Sequence, residues 1–229
     1  GVLNQITATP DYSQLTGCDL IIEAVFENRE LKASVTKAAE AAMDPAGVFA
    51  SNTSTLPITG LANASIRPEK FIGLHFFSPV HKMQLVEIIV GEKTDDATLA
   101  KAFDYVLAIG KVPIVVNDSR GFYTSRVFST WSNEGLTMLL EGQHPQSLEM
   151  AGLQAGMPVG PLAVIDEISM GLFDHIRKQT IADMKASGEP DTALAAAARG
   201  DHAAPVIEKM LSLKRPGRAG GGGFYEYTE

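Results

Sequence analysis

Two ionisable residues lie within the otherwise apolar runs of GLHFFSPVHKMQLVEII, residues 73–89. His75 is near the start of the first run, and Glu87 is near the end of the second. An unpaired ionisable group is costly in a core, so these side chains either point to solvent or pair with each other. A paired histidine and carboxylate would form an acid–base dyad, because histidine exchanges protons near neutral pH.

Two expected strand-to-helix turns carry further polar side chains. Glu27 follows the apolar run CDLIIEAV, residues 18–25, and Ser54 lies in ASNTSTLPIT, residues 50–59. In open α/β sheets ligands bind beyond the carboxyl ends of the strands, so both turns could face a cofactor or substrate. A lone loop glutamate is more often merely solvated, however, and hydroxyls at such turns more often cap the next helix.

Strands and helices alternate over the first half of the chain. Helices are predicted at 28–43, where Asn28 is the expected N-cap, in a short stretch within 56–64, and at 95–109. Strands are predicted at 6–9, 18–25, 47–54, 70–77, 84–90 and 111–118. The alternation predicts an α/β domain with a mostly parallel sheet over residues 1–118.

From Gly121 onward helical periodicity replaces strand runs, which predicts an all-helical domain over residues 119–229. The apolar segments GLTMLL (135–140) and GPLAVI (160–165) are expected to be buried, and the alanine run 195–198 to be helical. The tail RPGRAGGGGFYEYTE is expected to form a glycine-rich turn that closes on an aromatic edge.

Composition excludes several classes of protein. The net charge of −8 leaves no basic face for nucleic acid or an anionic membrane, although a small anionic ligand stays possible. Cys18 is the only cysteine, so neither an intrachain disulfide nor a cysteine metal cage can form, and no metal site is expected. No apolar run approaches the roughly 20 residues of a membrane span. A reducing, cytoplasmic location fits these features.

Six motifs resemble the L-3-hydroxyacyl-CoA dehydrogenase family. In chain order they are IIEAVFENRELK, ASNTSTLPIT, GLHFFSPVHKMQLVEII, DSRGFYTSR, GMPVGPLAVIDEI and GGGGFYEY. The similarity is greatest to the dehydrogenase part of multifunctional fatty-acid oxidation proteins, the trifunctional-type α chains. The resemblance implies a Rossmann-type NAD-binding domain followed by a helical substrate and dimerisation domain. It also implies NAD-dependent oxidation of (S)-3-hydroxyacyl-CoA to 3-oxoacyl-CoA in β-oxidation, in a homo-oligomer or a multifunctional complex.

The same resemblance implies the catalytic residues. His75 would be the general base, Glu87 would orient it, and Ser54 would hydrogen-bond the 3-oxygen of the acyl-CoA substrate. Ser125 occupies the position of a further site residue, where the family often has asparagine. A general base suits this reaction because a proton must leave the alcohol oxygen while a hydride leaves carbon.

The residues implied to face the NAD cofactor are Glu27, Lys32 and Ser78. Ser78 is again a position where the family often has asparagine. The dinucleotide fingerprint G-x-G-x-x-G does not occur in the sequence, and in the family it would precede residues 6–9. We therefore expect the chain to be part of a longer enzyme and to lack the first βαβ unit.

Two other classes of function have to be compared with the dehydrogenase interpretation. A non-catalytic CoA-binding or interaction domain would follow if truncation, or the serines at positions 78 and 125, had removed activity. A hydrolase using serine, histidine and glutamate would need a G-x-S-x-G elbow to present its serine, and the sequence has none. The dehydrogenase interpretation is favoured because His75, Glu87 and Ser54 are all retained.

The 229 residues by themselves are expected to bind NAD weakly. In this fold the pyrophosphate is held by backbone N–H groups and the positive end of the first helix. Each 1.4 kcal/mol lost weakens binding about tenfold, so several missing phosphate contacts should give a dissociation constant of roughly millimolar size. Calorimetric titration with NAD measures this constant, and micromolar binding would contradict the expectation.

Overall fold

The computed structural model describes residues 2–186, 188, 190 and 203–227. The chain forms two compact units, Gly1–Arg126 and Val127–Glu229. The sequence places the domain boundary slightly earlier, between residues 118 and 119, and that assignment stays a prediction. Over the described part of the chain, no helix has the length and apolar character that crossing a bilayer requires.

The first unit is built on a five-stranded sheet. Its strands are in the order β1-β2-β3-β4-β5, and only the β3–β4 pair is antiparallel. The prediction of a mostly parallel sheet is therefore confirmed. The strand bounds are Leu20–Glu23 for β1, Val48–Ser51 for β2, Phe71–Phe76 for β3, Leu85–Val90 for β4 and Val112–Asn117 for β5.

Both faces of this sheet are covered. One apolar cluster includes Phe49, Phe71 and Ile89, and a second includes Ile72, Leu74 and Ile88. Because alternate residues of one strand enter different clusters, the central strands read as nearly continuous apolar runs. The same burial makes every polar residue on β3 and β4 depend on a partner inside the protein.

In the described part of the first unit, three α-helices connect the strands. They are α1 (Arg29–Glu40), α2 (Ile58–Ala62) and α3 (Asp96–Ala108). The Asn28 side chain accepts a hydrogen bond from the Leu31 N–H, which confirms it as the N-cap of α1. The short α2 is capped from a distance, since the Asp118 carboxylate accepts the N–H groups of Ile58 and Thr59, each at 2.7 Å.

The prediction of a strand at residues 6–9 is wrong. Val2–Gln5 forms a 3₁₀ helix, residues 6–9 are irregular, and Ile6 is 67% exposed. A run of β-branched residues becomes a strand only where a neighbouring strand accepts its backbone hydrogen bonds. In the described residues β1 pairs with β2 alone, so the segment 6–9 adds no strand to the sheet.

The secondary structure of the second unit is helical over its described residues, as predicted, apart from two isolated β-bridges in the glycine-rich tail. Its helices are α4 (Thr124–Leu140, which starts at the end of the first unit), α5 (Pro145–Gln154), α6 (Pro161–Ile168), α7 (Met170–Ala186) and α8 (Ala204–Ser212). The segment 160–165 is buried as expected, with Leu162 and Ile165 fully enclosed. The segment 135–140 is amphipathic instead, because Leu136 is buried while Met138 and Leu140 are exposed. The alanine run 195–198 lies outside the described residues.

The glycine-rich tail folds around the buried carboxylate of Asp166. This carboxylate accepts the N–H groups of Phe224 and Tyr225 at 2.8 and 3.0 Å and the Tyr227 hydroxyl at 3.1 Å. Burial and the hydrogen bond to Asp166 raise the pKa of Tyr227 to about 12. A Cβ atom at Gly223 would lie 1.9 Å from Asp166 Oδ1, so the close approach requires glycine at that position.

We expect Asp166→Ala to lower the free energy of unfolding by about 3 kcal/mol, because three donors lose their acceptor. Urea titration followed by circular dichroism measures the loss. Glu226→Ala is the matched control in the same tail, since its side chain is 77% exposed and its ion pair with Arg215 is on the surface. The control should change stability by no more than about 0.5 kcal/mol. If Asp166→Ala and Glu226→Ala lowered the stability equally, Asp166 would not be the acceptor that holds the tail.

Candidate active site

His75 and Glu87 form a buried hydrogen-bonded pair. They lie directly opposite each other in the antiparallel β3–β4 register, and His75 Nδ1 is 2.7 Å from Glu87 Oε2. His75 is 8% exposed and Glu87 is fully buried. The prediction that the two side chains pair inside the protein is confirmed. Residues directly opposite each other share one face of a sheet, which brings these two side chains together.

The Glu87 carboxylate accepts four hydrogen bonds. Its Oε1 accepts the N–H groups of Tyr123 and Thr124 at 3.1 and 2.8 Å, at the start of α4. Its Oε2 accepts the Thr124 hydroxyl at 2.8 Å as well as His75. Burial acts to raise the pKa of Glu87, but the hydrogen bonds from His75 and Thr124 outweigh it and hold this pKa below its ordinary value.

Two aromatic rings lie near the imidazole of His75. The ring centroids of Phe77 and Phe122 lie 4.4 and 6.2 Å from that of His75. Phe122 has a φ of +46°, which a bulky residue rarely adopts, and it follows Gly121 at +72°. This turn places the Phe122 ring in the core and directs the first N–H groups of α4 at Glu87.

A second polar cluster lies where β1 and β2 end. The Glu27 carboxylate accepts the Thr53 hydroxyl at 2.9 Å and the Ser54 N–H at 2.8 Å, and the Ser54 hydroxyl is 3.3 Å away. The Thr53 hydroxyl also accepts the Leu56 N–H, so the turn performs the local capping that the sequence allowed as the alternative. The Glu27 side chain stays 38% exposed and could accept hydrogen bonds from a ligand.

The dyad and this second cluster adjoin through consecutive residues of the chain. Thr124 binds Glu87, and the neighbouring Ser125 directs its hydroxyl at the Ser54 carbonyl oxygen, 3.5 Å away. The structure therefore brings Ser54, Ser125 and Glu27 into one group beside His75 and Glu87. Ser78 is not part of this group; it is exposed in the β3–β4 connection, directly before the cis peptide bond to Pro79.

Lys32 is directed into the protein, since its side chain is only 2% exposed. Its ammonium lies 2.9 Å from the Glu23 carboxylate and 3.6 Å from that of Glu27. Glu23 also accepts the Ser51 hydroxyl at 2.7 Å and the Val25 N–H at 2.6 Å. The Lys32 charge therefore stabilises the turn that carries Glu27, and the carboxylate of Glu23 is its main partner.

Sequence reasoning missed Glu23 and Thr124. Glu23 ends an apolar strand nine residues before Lys32, a spacing that could have indicated a pair between β1 and α1. Thr124 gave a weaker signal, because a hydroxyl at the start of a helix is commonly only a cap. Among the residues that the structure describes, no cluster of three or more potential ligands could hold a metal ion.

Two family models together match nearly the whole chain. The NAD-binding domain of 3-hydroxyacyl-CoA dehydrogenase matches residues 1–119, and the C-terminal domain of the same family matches residues 121–227. The chain belongs to the 3-hydroxyacyl-CoA dehydrogenase family. NAD is the cofactor of the domain that residues 1–119 match, in agreement with the sequence prediction.

Curated relatives carry the same domains within longer chains. The fatty acid oxidation complex subunit alpha of Shewanella putrefaciens is 41% identical over 222 residues, and that of Shewanella loihica is 40% identical. Each alignment covers 97% of this chain and 30% of the relative. The chain thus spans about 30% of the length of the curated relatives that it matches.

Solved structures share this fold. The (S)-3-hydroxybutyryl-CoA dehydrogenase of Ralstonia eutropha is 32% identical with a TM-score of 0.86, over 99% of this chain and 77% of that one. The dehydrogenase part of multifunctional enzyme 1 from C. elegans is 30% identical with a TM-score of 0.61, over 96% of this chain and 47% of that one. The fold prediction, a Rossmann-type domain followed by a helical domain, is confirmed by these matches.

We expect Lys32→Met to lower the free energy of unfolding by about 3–5 kcal/mol, because it leaves the Glu23 carboxylate buried without its cation. Adding Glu23→Gln to this variant should recover much of the loss, since the uncompensated charge is then gone. Urea titration of the two single variants and the double variant measures the coupling. Strictly additive losses would show that the two side chains do not act as a pair.

Proposed function

We propose that the protein oxidises (S)-3-hydroxyacyl-CoA to 3-oxoacyl-CoA, with NAD accepting the hydride. The observation that carries this proposal is the buried 2.7 Å hydrogen bond between His75 Nδ1 and Glu87 Oε2, in a chain of this family. The reaction needs a group that removes the hydroxyl proton as the hydride leaves the neighbouring carbon. His75 is assigned to remove this proton, and Glu87 is assigned to orient the imidazole.

The protonation states follow from the hydrogen bonds of Glu87. With its pKa held below the ordinary value, Glu87 is ionised near neutral pH and accepts a hydrogen bond from the N–H at His75 Nδ1, which keeps its proton. This fixes the tautomer in which Nε2 has a free lone pair, so Nε2 takes the substrate hydroxyl proton. The carboxylate then stabilises the imidazolium that forms.

The polar cluster beside the dyad supplies the remaining proposed roles. Ser54 is assigned to the 3-oxygen of the substrate, because this half-buried residue lies in the turn that follows β2 and its carbonyl contacts Ser125. Ser125 is assigned to holding Ser54 in place for that contact. Both assignments rest on the short distances within this cluster, from 2.8 to 3.5 Å.

Glu27, Lys32 and Ser78 are assigned to the cofactor side. The donor and acceptor groups fit a ribose there, because the partly exposed Glu27 carboxylate can accept hydrogen bonds from sugar hydroxyls. Lys32 does not contact the cofactor directly in this proposal. Its buried ion pair with Glu23 and its charge near Glu27 keep the Glu27 turn in position. Ser78 is exposed in the β3–β4 connection, where it is open to a ligand.

The wider setting is also proposed. Residues 1–118 bind NAD, and residues 119–229 bind substrate and form contacts between copies. Since the curated relatives are alpha subunits of a fatty acid oxidation complex, the activity is assigned to an acyl-CoA substrate within a homo-oligomer or such a complex, in the cytoplasm. The net charge of −8 supports a small-molecule substrate rather than nucleic acid.

We expect His75→Gln to lower kcat by roughly 10²- to 10⁴-fold, the usual contribution of a general base. The assay follows NADH formation from (S)-3-hydroxybutyryl-CoA, with the substitution made in the full-length natural polypeptide. His81→Gln, an exposed position in the β3–β4 connection, is the control and should keep the wild-type rate. An unaltered rate in His75→Gln would contradict the proposal.

Binding of the acyl-CoA without any oxidation by the unaltered protein would favour a non-catalytic CoA-binding domain.

A further inference from the structure

Thr124 makes two of the four hydrogen bonds that the Glu87 carboxylate accepts. Its N–H donates to Oε1 at 2.8 Å, and its hydroxyl donates to Oε2, also at 2.8 Å. The second contact reaches the same oxygen that accepts His75 at 2.7 Å. A carboxylate oxygen has two favourable acceptor directions, so Thr124 and His75 together use both directions on Oε2.

We propose that Thr124 is a positioning residue of the dyad, whose hydroxyl holds Glu87 Oε2 in place and shares this oxygen with His75. The proposal rests on the dehydrogenase function argued above. In this proposal Thr124 does not touch the substrate, and it acts on His75 through its hydrogen bonds to the Glu87 carboxylate. It is half-buried in the first turn of α4, so the helix start carries the hydroxyl to the dyad.

The geometric effect concerns the rotation of the carboxylate about its last torsion. This torsion is broad and roughly two-fold in glutamate, so packing alone fixes it poorly. The N–H groups of Tyr123 and Thr124 hold Oε1, and the Thr124 hydroxyl holds Oε2. With both ends held, Oε2 faces His75 before any substrate arrives. Positioning of this kind matters, since misplacement of about 1 Å can cost a large part of the rate.

The electrostatic effect concerns the charge of Glu87. A hydroxyl that donates to a carboxylate favours the charged form, and the hydrogen bonds from Thr124 contribute to the depressed pKa of Glu87. From β3, His75 is the titratable group that faces this carboxylate, and β5 places the apolar Ile114 opposite Glu87. The other donors are neutral: the Tyr123 N–H just before α4, and the N–H and hydroxyl of Thr124 in its first turn. Thr124 therefore helps to keep the proton of the dyad on the imidazole.

Three variants test the proposal. Thr124→Val removes the hydroxyl and keeps the shape, whereas Thr124→Ser keeps the hydroxyl. Thr137→Val is the matched control on the same helix, because the Thr137 hydroxyl donates to the Asn133 carbonyl within α4. Carbon-13 NMR of the Glu87 carboxyl, assigned with Glu87→Gln, follows its titration in the 229-residue chain. Steady-state kinetics of the full-length protein separate kcat from KM.

We expect the pKa of Glu87 to rise in Thr124→Val, and to return toward the wild-type position in Thr124→Ser. In Thr124→Val, kcat should fall roughly tenfold, which corresponds to about 1.4 kcal/mol, while KM changes by less than about twofold. Thr124→Ser should recover most of the lost kcat. Thr137→Val should leave the Glu87 titration and both kinetic constants as they are.

Two results would overturn the proposal. One is a Glu87 titration in Thr124→Val that matches the wild type, even if the melting temperature falls, because that outcome describes a purely structural threonine. The other is a serine variant that behaves like the valine variant. If the unaltered protein shows no dehydrogenase activity, the proposed function fails, while the NMR titration still decides whether Thr124 controls the charge of Glu87.

Discussion

Glu87 is a fully buried carboxylate in the middle of a sheet, and its charge has to be satisfied from within the protein. A buried charge without hydrogen-bonding partners would cost several kcal/mol, enough to remove much of the stability of a domain. Two separate parts of the chain supply these partners. Strand β3 contributes His75, and the stretch that leads into α4 contributes Tyr123 and Thr124. The antiparallel β3–β4 pairing places His75 opposite this carboxylate, and the turn with positive φ at Phe122 directs the following N–H groups at it.

The Glu23–Lys32 pair obeys the same constraint. Both side chains are buried, and each extra hydrogen bond, from Ser51 and Val25, offsets part of the desolvation of the carboxylate. This ion pair links β1, through Glu23, to α1, through Lys32, on either side of the turn that carries Glu27. Two buried carboxylates therefore organise the carboxyl-terminal edge of this sheet, the edge where open α/β sheets bind their ligands.

Much of this arrangement could be predicted from the sequence. Five of six expected strands and the helices of the first unit were found because apolar runs and cap residues are local signals. The His75–Glu87 pair was predictable because two ionisable residues in adjacent apolar runs need a partner. The strand at 6–9 and the burial of Met138 and Leu140 were predicted wrongly, since both depend on neighbours that composition does not reveal. Thr124 was missed because its partner Glu87 is 37 residues away in the sequence. Glu23 was missed although Lys32 follows it by nine residues, because the sequence does not show that both side chains are buried.

Two carboxylates, those of Asp118 and Glu87, accept hydrogen bonds from the first N–H groups of two helices, and this affects how easily the helix ends open. Asp118 holds the first N–H groups of α2, and Glu87 holds the N–H of Thr124. Helix ends ordinarily fray, and their amide protons then exchange with solvent at little cost. Here each acceptor belongs to the sheet or to the residue that follows its last strand, so fraying of these ends must break contacts with the sheet. Slow amide exchange at these helix starts would therefore report on the sheet rather than on the helices that carry them.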